Sequence, residues 1–544
     1  MMPHTIHATQ PIQGQKPGTS GLRKKVAVFQ QPHFLENFVQ AIFLAVPELK
    51  GGTLILGGDG RYLNEIALQT ILKMAAANGV ARLLVGQHGL LSTPAASHLI
   101  RLHQAVGGII LSASHNPGGP QGDFGIKFNA GNGGPAPEKL TDAIYAATLQ
   151  VHEYHLSNAP DIDLAVVGEV EFAGMRVSVV DPVADYAVLM QQLLDFDAIR
   201  AWIAAGHTLR LDALHAVGGP YAIRLFEDML GAPMNSVRNA APQPDFAGGH
   251  PDPNPVYCAD LVDTMQGRGA PDFGAAFDGD ADRNMILGRD FVLTPSDSLA
   301  VLAANAALIP QFKGRLTGVA RSMPTSRAVD SVAKALGIDC YETPTGWKFF
   351  GNLLDAGRIQ LCGEESYGTG ADHVREKDGI WAALAWLNLV AVRKQSVAQI
   401  VQAHWAQFGR HFYSRHDYEG LSVAAGDVVL ATLRSKLPGL VNTLVAGLCV
   451  TLADDFAYTD SVDGSLSQQQ GIRIEFAGGS RVVFRLSGTG TEGATLRVYL
   501  EHYTAEVSEQ AQETQSALKA VIAAAEELAG IYANTGRTVA DVVT

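Results

Sequence analysis

Seven short runs rich in leucine and β-branched residues, TLILGG, ARLLVG, GGIILS, TLRLDAL, FGAAFDG, RLTGVAR and RIQLCGEES, alternate with helical patterns through the first four hundred residues. Apolar runs of this length suit strands, and strands alternating with helical patterns make βαβ units around mainly parallel sheet. Sheets of that kind bind ligands in loops outside the carboxyl ends of their strands. Several runs here end in polar, glycine-rich segments that would form such loops.

The pattern changes toward the end. GIRIEFAGGSRVVFRLSGTGTEGATLRVYLEHY alternates apolar and polar positions and is broken by GG and GTGTEG, which predicts antiparallel strands and hairpins. SEQAQETQSALKAVIAAAEELAG predicts a helix after them. A chain of 544 residues exceeds one hydrophobic core and divides into about three or four domains. Boundaries near 183, 297 and 409 give segments 1–182, 183–296, 297–408 and 409–544. The leading segment reads as loose up to Gly18, and the letters show no strong repeat.

A net charge of −14 argues against a protein that coats nucleic acid or an anionic membrane, so a polyanionic ligand requires a locally basic pocket. The N-terminal stretch has no continuous apolar segment and is not a secretory signal. The most apolar helical run, Gly379 to Val392, falls short of the roughly 18 residues of a membrane span and reads as a buried helix. Cys258, Cys340, Cys362 and Cys449 are far apart and form no CxxC pair, as suits reduced, mostly buried thiols of a cytoplasmic protein.

Four segments carry the chemistry. Ser114 follows the apolar run that ends at Leu111, and reads either as a nucleophile at a strand end or as a turn former. Its surroundings do not fit the GxSxG pattern of serine hydrolases. In FDGDADR the carboxylates of Asp278, Asp280 and Asp282 alternate, so an extended loop turns all three to one side. An all-oxygen set favours Mg²⁺ over zinc. A calcium EF-hand is excluded, because Arg283 and Arg289 stand where glycine and glutamate are needed. A solvated acidic turn is the competing reading. Arg283 is placed to reach a phosphate or to brace the carboxylates, and His115 and Lys127 to relay protons or balance charge.

The third segment, Ser487 to Thr491, offers backbone N–H groups, hydroxyls and glycines to an anion, with Arg485 and Arg497 on flanking strands suited to a phosphate dianion. A Gly-Thr hairpin without a ligand is the alternative. Neither this loop nor GGDG at 57–60 fits the Walker pattern, so no ATP site is inferred. The fourth, GEESYGTGADHVREKDG, combines Glu364, Ser366, His373, Arg375 and Lys377 in a loop that suits sugar hydroxyls and a phosphate.

Taken together, KPGTSGLRKKV, SASHNPGG, FDGDADR, ARSMPTS, YETPTGWKFFGN, LCGEESYGTGADHVREKDGIWA and FRLSGTGTEGATLRVYLE resemble, in content and order, the α-D-phosphohexomutases and within them the α-phosphoglucomutases. The resemblance runs from Gly18 to about Glu501. It implies an α/β protein of four domains in a heart-shaped arrangement, three of mixed α/β type and a C-terminal one with antiparallel sheet and helices. It implies a phosphoserine at Ser114 and one Mg²⁺ held by Ser114, Asp278, Asp280 and Asp282. It implies interconversion of glucose 1-phosphate and glucose 6-phosphate through glucose 1,6-bisphosphate, which also serves as activator.

By the same resemblance Arg23, His115 and Lys127 assist proton transfer and charge neutralisation. Thr345, Gly346, Glu364, Ser366 and Lys377 contact the sugar, with Arg283 beside them. Arg485, Ser487, Thr489, Gly490 and Arg497 hold the phosphate that is not reacting. GEESYGTG favours glucose over mannose, and Arg327 stands where relatives have a small residue. The alternatives are a mutase for mannose or ribose phosphates, a non-catalytic scaffold, and a metal-dependent phosphatase. Intact Ser114 and aspartates oppose the scaffold, and the lack of a His-rich dimetal cluster opposes the phosphatase. The expected partner is a sugar phosphate, with neither nucleic acid nor membrane, on a monomer or weak dimer.

Overall fold

The computed structural model describes residues 4–18, 20–487 and 493–544. All seven apolar runs are strands, distributed over three sheets. The first sheet has seven strands, in the order Leu22–Lys25, Asp123–Ala130, Gly107–Leu111, Thr53–Gly58, Arg82–Leu90, Met175–Val180, Gly168–Phe172. The second has five, in the order Val237–Arg238, Leu209–Asp212, Phe273–Phe277, Asn284–Gly288, Phe291–Val292. The third has four, in the order Asp339–Thr343, Gly318–Ser322, Leu361–Glu364, Gly368–Ala371.

All three sheets are mixed, where mainly parallel sheet is the simpler expectation. In each, a strand from the parallel part turns through a loop into an antiparallel neighbour. Gly107–Leu111 pairs antiparallel with Asp123–Ala130, Phe273–Phe277 with Asn284–Gly288, and Leu361–Glu364 with Gly368–Ala371. The intervening loops carry Ser114, the aspartate triplet and Ser366. This is a repeat of geometry with no counterpart in the letters, because only strand direction and burial recur. Both edges of each loop are thereby hydrogen-bonded, which suits a site needing fixed side chains.

A fourth sheet of seven strands is antiparallel, in the order Leu444–Val445, Leu448–Asp455, Ile472–Phe476, Arg481–Ser487, Ala494–Thr504, Arg410–Leu421, Val542–Val543. Val429, Leu433, Val521, Ala525 and Leu528 from its helices pack over one face. The predicted helix after it is broken. A turn at Val507–Glu509 and a short helix at Thr514–Ala517 precede Lys519–Ala529. Gln510 and Gln515 spend their side-chain amides on tertiary hydrogen bonds to the Trp405 carbonyl and Ser414 hydroxyl, which holds this part of the chain out of one continuous helix.

Gly379–Arg393 is a helix buried from Gly379 to Ala391. It is apolar on every face, so it needs cover on every face. It belongs to one core with strand residues of the second and third sheets, among them Phe277, Ile286, Val319 and Leu361. Its two indole N–H groups are satisfied, Trp381 donating to Gln311 at 2.8 Å and Trp386 to Ser298 at 2.8 Å. Asp378 caps its start by accepting from the Trp381 N–H. Among the described residues no helix is long and apolar enough to cross a membrane.

The leading segment is not loose. His4–Ala8 pairs antiparallel with Glu153–Ser157, and buried Gln15 donates to the Phe34 carbonyl at 2.6 Å. Cysteine burial is also less complete than expected: Cys258 and Cys362 are buried, Cys449 is partly exposed and Cys340 is exposed. Arg327 has a clear place. It donates to Glu475 at 3.0 Å and to the Gly479 carbonyl at 2.7 Å, joining the third segment to the fourth.

Candidate active site

Ser114 sits in the loop after Gly107–Leu111 with φ 52°, a left-handed conformation that costs an L-residue about 1–2 kcal/mol. Two buried contacts hold it there. Its N–H donates to Ser112 Oγ at 2.7 Å, and its carbonyl accepts from Arg61 Nη2 at 2.7 Å. Ser112 and Arg61 are fixed in turn by Asp59, at 2.6 Å and 2.8 Å. Asp59 belongs to the GGDG segment, so that segment braces the serine loop. Sequence reasoning missed Asp59 and Arg61; their place immediately after the strand Thr53–Gly58 was the available signal.

The aspartate turn meets Ser114 from the second sheet. Gly279 makes this approach possible: a Cβ there would lie 2.4 Å from the Ser114 carbonyl oxygen. Ser114 Oγ donates to Asp278 Oδ2 at 2.7 Å, and the Arg283 N–H donates to Asp278 Oδ1 at 3.0 Å. Asp280 Oδ2 accepts from Thr93 Oγ1 at 2.6 Å and from Lys127 Nζ at 3.2 Å. Lys377 Nζ lies 3.2 Å from Asp282 Oδ2.

All three aspartates are buried, and one oxygen from each lies within 4.8 Å of the others. Asp280 Oδ1 and Asp282 Oδ1 have no hydrogen-bond partner among the described residues. Buried acceptors left unmatched beside an all-oxygen donor set fit a hard divalent cation such as Mg²⁺. Burial, then Asp282 and Asp280, push the Asp278 carboxyl well above the usual range. At Asp280 burial acts in the same direction, but Lys127, the Thr93 hydrogen bond and Lys377 outweigh it and hold the carboxyl low. Burial works against the Lys127 charge, yet Asp280 and Glu376 raise its pKa and keep the ammonium protonated. His115 is pushed well below the ordinary histidine value by burial, then by Arg283 and Arg23, and is neutral.

One cleft of about 920 Å³ gathers most of the remaining predicted residues. Arg23, His115, Lys127, Asp282 and Arg283 line one part of it, and Thr345, Gly346, Glu364, Ser366 and Lys377 another. Arg485, Ser487 and Arg497 line it from the fourth sheet. Ser114 is only 2 % exposed and lies beneath the floor, with Asp278 and Asp280. Glu364 Oε1 accepts from the Gly346 N–H at 3.0 Å, which fixes that carboxylate. Thr345 Oγ1 and Trp347 Nε1 beside it are unmatched among the described residues. Thr489 and Gly490 lie outside the described residues.

Two predicted residues are elsewhere. His373 pairs with Asp378 at 3.0 Å, and Arg375 pairs with Asp355 at 2.6 Å; neither lines the cleft. Both are turned back to secure the start of the buried helix and the loop before it. Trp347, Glu365, Glu376, Arg415 and Asp417 line the cleft and were not singled out from sequence. A lone charge or indole has no recognisable spacing until the fold gathers it.

A serine hydroxyl on a buried oxygen triad, beneath a cleft walled by lysines and arginines, defines the class: a metal-dependent phosphotransfer enzyme on a multidomain α/β scaffold. Family models agree with this. Phosphoglucomutase/phosphomannomutase alpha/beta/alpha domains I, II and III match residues 14–155, 185–290 and 295–408, and the phosphoglucomutase-1 C-terminal domain matches 410–541. The chain belongs to the phosphoglucomutase/phosphomannomutase family.

The phosphoglucomutase of Rhizobium radiobacter is 58% identical over 536 residues, spanning 98% of this chain and 99% of that one. Cytoplasmic phosphoglucomutase 1 of Zea mays is 51% identical over 577 residues, spanning 99% of both. Among solved structures, the open form of parafusin (phosphoglucomutase), an exocytosis-sensitive phosphoprotein of Paramecium, superposes with a TM-score of 0.93 at 49% identity, covering 99% of each chain.

Proposed function

We propose that this enzyme interconverts glucose 1-phosphate and glucose 6-phosphate through a phosphoserine at Ser114 and a glucose 1,6-bisphosphate intermediate. The observation that carries the reading is the 2.7 Å hydrogen bond from Ser114 Oγ to the aspartate triad at one end of a cleft whose fourth-sheet wall presents Arg485 and Arg497. A sugar with a phosphate at either end fits such a cleft in two orientations. The arginine wall holds one phosphate while the other meets the serine.

In the first half-reaction the Ser114 Oγ–P bond breaks and phosphorus bonds to the free hydroxyl oxygen of glucose 1-phosphate, which loses its proton. After the bisphosphate turns over, its other O–P bond breaks, Ser114 Oγ takes that phosphoryl group and the freed sugar oxygen regains a proton. Lys127 and Arg23 balance phosphate charge, and His115 is the neutral group within 3.4 Å of Ser114 Oγ available to carry the proton. Glu364 and Ser366 accept and donate to sugar hydroxyls, with Thr345, Gly346, Lys377 and Arg283 around them. Asp278, Asp280, Asp282 and the Ser114 oxygen would hold one Mg²⁺, which when bound stabilises negative charge on the transferring phosphoryl oxygens.

Domain limits near 183, 297 and 409 are part of this proposal, as are a cytoplasmic location and a monomer or weak dimer, since one chain supplies every residue named in the cleft. The test is conversion of glucose 1-phosphate with Mg²⁺ and catalytic glucose 1,6-bisphosphate, on wild type and Ser114→Ala, with released phosphate measured in parallel. Turnover lost in the variant, with little phosphate released by wild type, is the expected result. A folded, metal-replete wild type that turns over mannose or ribose phosphates instead would overturn the choice of sugar.

A further inference from the structure

The fourth-sheet wall of the cleft carries more charge than a phosphate site needs, and the charges form a continuous row. Asp417 is the cross-strand partner of Arg497, which is itself the partner of Arg485. Arg415, two residues before Asp417, shares its face of the strand Arg410–Leu421. Arg415 Nη1 donates to Glu365 Oε2 at 3.0 Å, its Nε lies 3.0 Å from Asp417 Oδ1, and Asp417 Oδ1 lies 3.9 Å from Arg497 Nε. Glu365 and Asp417 are each only 4% exposed at the side chain, so both carboxylates are shielded from solvent.

The far end of the row is the sugar loop. Glu365 lies between Glu364 and Ser366, and its N–H donates to Thr325 Oγ1 at 2.9 Å. The near end is Arg497 on the phosphate wall. A short ionic chain with buried members holds its ends at a set separation more firmly than exposed pairs do.

We infer that Arg415 is a positioning residue, which through Glu365 on one side and Asp417 on the other sets the separation between the sugar loop and the phosphate-holding arginines. This deepens the mutase reading and rests on it for the identity of the ligand. A hexose phosphate touches both ends of the row at once and is sensitive to their separation. Inorganic phosphate touches the arginine end alone and is not.

The test compares Arg415→Gln, Arg415→Lys, Glu365→Gln and the double variant Arg415→Gln/Glu365→Gln in the full chain. Calorimetry gives dissociation constants for glucose 6-phosphate and inorganic phosphate, and turnover gives KM and kcat for glucose 1-phosphate. Losing one charge-assisted hydrogen bond predicts about a tenfold weaker hold on the sugar phosphate and about a tenfold rise in KM in Arg415→Gln. The dissociation constant for inorganic phosphate should stay within about twofold, since neither Arg485 nor Arg497 is altered. Arg415→Lys should recover part of the loss. The double variant should be no worse than Arg415→Gln, because the two residues act through one contact, and it leaves no unpaired charge at Glu365 to compromise folding.

Phosphate and sugar phosphate weakening in step would overturn the inference by making Arg415 a phosphate ligand. Additive losses in the double variant, or a lower melting temperature with unchanged affinities, would also overturn it. A wild type that binds both ligands as described but does not turn over glucose 1-phosphate would sink the mutase reading and leave the binding comparison intact.

Discussion

At the residue scale the chemistry depends on positions that carry no chemistry themselves. Gly279 separates two candidate metal ligands and is in close contact with Ser114. In Gly279→Ala the added methyl would meet the Ser114 carbonyl at 2.4 Å, so serine and aspartates must move apart. Loss of activity of about 100-fold is expected, with a stability cost of about 1–3 kcal/mol. Steady-state rates together with a thermal melt check it; full activity would show that the approach is slack. A second residue sets a pH response. His404 is buried, its Nδ1 is unmatched among the described residues, and burial, then His411 and Arg393, lower its pKa to about 4. The unfolded chain protonates it near pH 6.5, so its contribution is intact above that pH and is lost as pH falls through about 4. By about pH 5 the loss is about 2 kcal/mol. His404→Gln should flatten the fall in unfolding free energy between about pH 7.5 and pH 5 by that amount, measured by urea denaturation.

Elements were legible where their pattern was local. The strands ending at Leu111, Phe277 and Glu364 announce themselves by apolar runs, and Gly379–Arg393 by a stretch with no polar face. His4–Ala8 was not legible, because a five-residue strand needs a partner, and Glu153–Ser157 lies about 150 residues away. Deleting residues 1–8 removes that pairing and exposes the Glu153–Ser157 edge. A melting temperature lower by several degrees is expected, with kcat within about twofold, since no residue of His4–Ala8 lines the cleft. A large fall in kcat without a change in melting temperature would contradict this. The antiparallel returns in the first three sheets were likewise hidden: direction depends on the three-dimensional path of the chain, and strand composition is similar either way.

At the scale of the whole molecule, the site exists because loops from separate sheets meet. Ser114 and Lys127 come from the first sheet, the aspartates from the second, the sugar loop from the third and the arginines from the fourth. Hydrogen bonds to one buried glutamate fasten the last two. Glu501 accepts from the Ser326 hydroxyl at 2.9 Å and the Arg327 N–H at 2.8 Å, and pairs with Arg481 at 2.9 Å. The same convergence predicts a metal effect separate from catalysis. Three buried carboxylates repel one another, so Mg²⁺ at about 100 times its dissociation constant should stabilise the fold by about 3 kcal/mol. Thermal melts with Mg²⁺ or chelator should show that shift in wild type and little of it in Asp280→Asn; equal shifts in both would place the ion elsewhere.

The sequence alone determined the strand runs, the antiparallel change near the C-terminus and the four chemical segments, because each is written in neighbouring residues with a fixed spacing. It placed Ser114 and the three aspartates, whose motifs are contiguous. Only the tertiary structure decided that Asp59 and Arg61 brace the serine, that His373 and Arg375 turn away from the cleft, and that Arg415 stands between the sugar loop and the arginine wall. Those facts depend on which charge lies within hydrogen-bonding reach of which. Arg61 and Ser114, or Arg415 and Glu365, fifty or more residues apart in sequence, come within that reach only when the sheets pack and exclude the water that would otherwise screen them.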